Sequence, residues 1–208
     1  MKFFALIFKE LLWKTYSFIL KFVLVNFYNF KIGKNFYCEG TPKLKLKNNE
    51  KIIIGNYVKI LGDIDFRTRE SGKIKIGDNV KIEENCRFVA AKMGKIEIGD
   101  NCSIGCNAIW NGGGDIIVHR NCIFSARSSV NANEHLISKS KEINKQGYKY
   151  GDVKILEDCF IGVNTSISKN VLIKKGVVIG ANSYVNSNLE EYTVYAGSPA
   201  KKIKEREQ

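Results

Sequence analysis

Two histidines, His119 and His135, are the side chains of this 208-residue sequence best suited to move a proton near neutral pH. An imidazole with an ordinary pKa of about 6.5 is mostly neutral there and can take a proton from an attacking hydroxyl or amine. Six cysteines are the other chemistry-bearing group. The nearest pair, Cys102 and Cys106, lacks C-x-x-C spacing and has no histidine beside it, so no metal is expected. No serine or cysteine stands in a nucleophile setting, which favours direct attack over a covalent enzyme intermediate.

Charge bounds the partners. The chain carries a formal +12, and residues 1–50 hold nine lysines against three glutamates. Nucleic acid, anionic lipid and phosphate-bearing cofactors all suit that balance. Nucleic acid is not expected, because no known nucleic-acid motif is present and the aromatics gather near the N-terminus rather than between basic residues. Six cysteines and no recognisable secretory signal point to a reducing, cytoplasmic location.

Residues 1–50 are read as an apolar, basic helical segment and lead-in. Residues 3–30 lack Gly and Pro, which predicts a helix or two short ones. The longest uncharged run, Phe22–Phe30, is well short of the ~18 residues that cross a bilayer. Residues 1–30 are then either an interfacial anchor at the inner membrane or a helix packed on its own β-domain or a neighbouring subunit. Apolar residues on nearly every helical face favour packing.

What must position the histidines is a repeat. From residue 54 bulky residues recur every six: Ile54, Ile60, Phe66; Ile76, Ile82, Phe88; Ile98, Ile104, Trp110; Val118, Phe124, Val130. After a gap come Ile155, Ile161, Ile167, Ile173, Ile179 and Val185. Gly often takes the second position and a small residue the fifth. Six fits neither a helix nor a plain strand, but suits a short strand plus a turn. Three such strands per coil stack into an all-β solenoid, with the bulky ladder filling its bore. The expected domain is 51–208, with a loop at 136–153 and a C-terminal tail.

The register also sorts the candidates. Cys86, Cys102, Cys122 and Cys159 all fall in the small fifth slot and read as buried, inert thiols. His119 falls in the second slot, a solvent-facing corner. His135 differs, because continuing its hexad would bury Glu134 in the small slot, which costs too much for an unpaired carboxylate. The chain therefore leaves the solenoid there, and Leu136–Val153 form an excursion long enough to be functional.

These hexads, Asn131-Ala132-Asn133-Glu134-His135 with its loop, and the close Ala196-Gly197-Ser198-Pro199-Ala200-Lys201-Lys202 resemble the hexapeptide-repeat acyltransferases. The nearest branch is that of the maltose, galactoside and polysaccharide O-acetyltransferases, and the likeness covers roughly residues 52–204. It implies a left-handed parallel β-helix, a homotrimer with sites between subunits, and acetyl-CoA as donor to a sugar hydroxyl. The implied setting is envelope or capsular polysaccharide biosynthesis, on a sugar or a lipid-linked or nucleotide-linked saccharide.

Within that resemblance His135 is the general base. Glu134 either steadies it or turns away to a lysine or a neighbouring subunit, since adjacent residues on extended backbone point oppositely. Asn107 matches an asparagine near the acetyl or acceptor group. Gly180 and Ala181 would leave room for the pantetheine arm. Lys201 and Lys202, after Gly197 and Pro199, either meet coenzyme A phosphates or form a solvated tail. The alternatives are N-acetylation of an amino-sugar nucleotide and a non-enzymatic binding scaffold. A carbonic anhydrase with three metal-bound histidines is excluded by a count of two.

Overall fold

The computed structural model describes residues 2–47 and 52–207. It begins with one helix, α1 (Lys2–Phe27), whose sequence holds no Gly or Pro to break the backbone ladder. Short strands follow and wind into a parallel β-helix. Among the described residues they form three long sheets of seven, nine and seven strands, the faces of the solenoid.

The first face stacks Ile32, Ile54, Ile76, Ile98, Val118, Ile155 and Ile173 in one register. All of these but Ile32 are buried, as the six-residue spacing requires. Each such side chain contributes roughly 1.5–3 kcal/mol by leaving water, and each coil adds its share next to its neighbour. Phe66, Phe88, Trp110 and Phe124 stack in the bore, with ring centroids 6.1, 5.2 and 4.8 Å apart.

Corners carry the special backbone. Asn79, Asn101 and Asn121 adopt positive φ, which asparagine tolerates better than most residues, and Asn79 Nδ2 donates to Asn101 Oδ1 at 2.8 Å. Gly99 is required by close approach: a Cβ there would lie 2.6 Å from the His119 carbonyl carbon. Cys86, Cys102, Cys122 and Cys159 are buried in their small slots, and burial pushes the Cys86 thiol up to about 12. A thiol held as Cys86 is stays protonated and unreactive.

α1 lies across the N-terminal end of the bore. Ser17, Leu20 and Leu24 face the solenoid, and the Cys38 backbone N–H donates to Ser17 Oγ at 2.8 Å. Leu11, Phe18, Phe22 and Val25, on the opposite side of the helix, are exposed. The helix therefore has two apolar faces and uses one.

Three sequence expectations need correction. The boundary drawn at residues 50 and 51 lies outside the described residues, and the solenoid starts before it. Lys31–Ile32, Tyr37–Cys38 and Pro42–Leu46 form its first coil. Ile32, Cys38 and Leu44 keep the six-residue spacing, but a cysteine in a bulky slot and Phe36 in a small one disguise it. The expected loop 136–153 has different bounds: Asn133–His135 and Tyr148–Tyr150 pair as an antiparallel hairpin, and Val153 is already back in the first face. Counting hexads finds Ile155 but misses Val153, which points inward two residues earlier by strand alternation. The expected tail is a strand, Lys201–Glu205, antiparallel to Thr193–Ala196.

Candidate functional site

The hairpin leaves the solenoid at the corner between the third and first faces. Its base is fixed from below: Asn133 Nδ2 donates to the Gly112 carbonyl at 3.2 Å, and Asn111 Nδ2 donates to Asn131 Oδ1 at 3.1 Å. His135 pairs in register with Tyr148, and the two rings pack 4.3 Å apart at 40°. The imidazole is exposed, and among the described residues neither ring nitrogen makes a hydrogen bond. The aromatic ring sets the orientation of the imidazole, and both ring nitrogens face away from protein partners among the described residues.

Glu134 takes the second of its two sequence readings. Strand alternation turns it away from His135, and its Oε1 lies 2.9 Å from Lys169 Nζ, whose side chain is only 10% exposed. It pins the hairpin to the next coil. Its carboxylate is engaged there rather than at the imidazole.

Asn107 and the residues expected from the sequence to hold the donor share another corner, between the second and third faces. Asn107 is an exposed turn residue at φ 59°, with its N–H on the Glu84 carbonyl at 2.9 Å. Along the same edge Arg127 bonds Cys106, Asn164 bonds Ala126 and Asn182 bonds Val163, which brings the column to Gly180 and Ala181. Three coil steps separate Asn107 from Ala181, roughly 14 Å at the usual strand spacing. Within one chain, therefore, the structure groups Asn107 with Gly180 and Ala181 and leaves His135 on a different corner.

The residues expected from the sequence to hold the donor do come together. Ser183 Oγ donates to the Gly180 carbonyl at 2.7 Å and accepts the Gly197 N–H at 3.1 Å. A Cβ on Gly180 would meet that of Ala196 at 3.0 Å. Gly197 has φ 102°, the Ser198–Pro199 peptide is cis, and Lys201 then pairs with Ala196. Lys202 is drawn to Glu205, while Lys201 is exposed and has no ion pair among the described residues. His119 sits at a third corner, 3.9 Å from Glu157, as its slot implied.

Sequence reasoning missed the cavity beside the hairpin. It encloses about 400 Å³ between Tyr148, Tyr150 and Asn133 above and Arg69, Arg87 and Asn111 below. The alternation Tyr148-Lys149-Tyr150 was a signal for a strand with one aromatic face.

A family model described as the hexapeptide repeat of succinyl-transferase matches residues 153–187. Chloramphenicol acetyltransferase of Klebsiella aerogenes is 40% identical over 58 residues, 28% of this chain and 28% of that protein. The chain spans less than a third of the length of the curated relatives it matches. A point variant of AntD, an N-acyltransferase from Bacillus cereus, bound to dTDP-4-amino-4,6-dideoxyglucose and coenzyme A, is similar over far more. It gives a TM-score of 0.60 at 26% identity over 86% of this chain and 84% of that one. AntD with dTDP and 3-hydroxybutyryl-CoA gives 0.57 at 26% identity over 85% and 83%. In fold, in repeat and over residues 153–187 the chain is thus similar to the hexapeptide-repeat acyltransferases.

Proposed function

We propose that this protein transfers an acetyl group from acetyl-CoA to a saccharide hydroxyl, with His135 as general base. The observation that carries the reading is His135 itself: exposed, unengaged at both nitrogens, and held against Tyr148, whose ring lines a polar cavity. The hydroxyl oxygen attacks the thioester carbonyl as His135 takes its proton. The tetrahedral intermediate collapses to the ester, and the coenzyme A thiolate leaves and receives that proton. Aligning both substrates supplies much of the remaining acceleration. The donor would lie along Gly180, Ala181, Gly197 and Pro199, with Lys201 near a phosphate. The test is melting temperature against coenzyme A concentration. Saturation at a hundred times Kd should add about 2.7 kcal/mol to the native state. No shift would leave a binding scaffold as the better reading.

A second reading, transfer to an amino-sugar nucleotide, is favoured by the likeness to AntD, an N-acyltransferase. Thiol release with a hydroxyl-only saccharide, but not with an amino sugar, supports O-transfer, and the reverse supports N-transfer.

The site requires more than one chain in this reading. The donor edge with Asn107 and the hairpin with His135 occupy different corners, so a second subunit's corner is needed to bring them face to face. A homotrimer meets that need with three equal sites.

The unused apolar face of α1 is read as a contact with an anionic bilayer, at the cytoplasmic side of the inner membrane. No described helix is long and apolar enough to cross a membrane. The exposed side chains Phe18 and Phe22 stand near Lys14 in sequence, and basic residues beside an apolar face favour anionic headgroups. An envelope or capsular precursor would meet the enzyme there. Replacing Phe18 and Phe22 with Ser should abolish flotation with anionic vesicles while leaving the molecular mass in solution unchanged. A fall in mass with unchanged flotation would make this face a subunit contact instead.

A further inference from the structure

The third face is basic over its N-terminal half, in line with the cavity at the hairpin. Lys43, Asp65 and Arg87 occupy one outward column, and Lys45, Arg67 and Val89 the next. Lys47 and Arg69 extend it toward the corner. Asp65 and Arg67 satisfy each other through a two-pronged pair, with Nε to Oδ1 at 2.8 Å. Lys92 is 3.7 Å from Glu70. Lys43, Lys45, Lys47, Arg69 and Arg87 make no ion pair among the described residues.

Arg87 is the most telling of these. Its Nε is buried and has no hydrogen-bond partner among the described residues, and its side chain lines the cavity. The chain supplies this guanidinium with no acceptor among the described residues, which leaves its terminal nitrogens, at the cavity wall, for an acceptor that arrives with a ligand. Guanidinium groups suit carboxylate and phosphate oxygens, and they hold them in a fixed geometry. Tyr148 and Tyr150 add two aromatic rings whose faces suit the apolar side of a sugar. The cavity therefore offers stacking and positive charge together.

The track is long. From Ser129–Asn131, where the hairpin departs, to Pro42–Leu46 the third face takes four strand steps, roughly 19 Å. A single diphosphate group is too short to use all of that length, whereas several linked sugars are not. We infer that the acceptor is an extended anionic saccharide, lying on the third face from the hairpin toward the N-terminal coil. Its acylated residue would sit beside His135, and its acidic groups would meet Arg87, Arg69 and the lysines. This rests on the transferase reading above and adds the class of acceptor to it.

The experiment is equilibrium binding by the full-length protein of end-labelled oligoglucuronates of increasing length. Neutral glucans of the same lengths are the control, and uridine diphosphate is the competitor. Affinity should rise steadily with glucuronate length and fall as salt is added, because exposed charges are screened. Neutral glucans should bind much more weakly. Arg69→Gln with Arg87→Gln should weaken the longest ligand about tenfold. Lys43→Gln with Lys45→Gln, at exposed positions, should weaken long ligands and spare short ones. The control Lys75→Gln, on the first face, should change nothing.

A flat length series, or full competition by uridine diphosphate at every length, would overturn the extended track in favour of a compact phosphate site. Equal binding of neutral glucans would overturn the charge argument. Coenzyme A melting shifts keep the two proposals apart. A flat series with the shift intact removes the track alone. An intact series without the shift removes the transferase reading, and with it the ligand's part as acceptor, and leaves the track as a saccharide-binding surface.

Discussion

Replacing His135 with alanine is expected to lower kcat by about 10²–10⁴-fold, the usual worth of a positioned general base. The melting shift with coenzyme A should survive, because the proposed donor residues lie at another corner of the coil. The fold should survive too. His135 is exposed and makes no hydrogen bond among the described residues, so the stability change should stay within about 0.5 kcal/mol. Steady-state thiol release and a coenzyme A titration on the same sample decide the matter. Retained turnover would remove His135 as the base. Lost turnover with a lost shift would point instead to a disturbed subunit arrangement.

The largest effect on stability is expected at Trp110. Its side chain is fully buried, with Phe88 at 5.2 Å and Phe124 at 4.8 Å. Trp110→Ala should cost about 3–5 kcal/mol, through lost burial and the cavity left between two rings. Trp110→Phe should cost much less. The indole Nε1 has no hydrogen-bond partner among the described residues, so removing it forfeits no polar contact. Chemical unfolding of the two variants tests this directly. Equal losses would mean that the indole edge, rather than ring packing, holds this coil.

The solenoid was legible because its constraint is local and periodic. Ile54 to Val130 and Ile155 to Val185 announce themselves at six-residue spacing, and burial follows the register. The first coil was hidden where the pattern is weakest, at Phe36 and Cys38. The site was only half legible for a related reason. His135 stood out because Glu134 would not fit a small slot. The Glu134–Lys169 pair joins residues far apart in sequence, and the return path of the hairpin sets their meeting. The grouping of Asn107 with Ala181 depends on which corner each turn occupies, which hexad spelling does not state. The cavity under Tyr148 and Tyr150 draws Arg69 and Arg87 from two earlier coils, and nothing in either hexad marks them as neighbours.

The two ends of the solenoid bear on aggregation. A stack of parallel coils is a template on which a further coil could grow, as in a fibril, unless its open edges are blunted. Here α1 plugs the bore at one end, and the neighbouring edge strand Pro42–Leu46 carries a proline and two lysines. At the other end Lys201–Glu205 turns back antiparallel and covers the last strand of the nine-stranded face. Head-to-tail growth is thus hindered by the helix at one end and, on the nine-stranded face, by the antiparallel strand at the other.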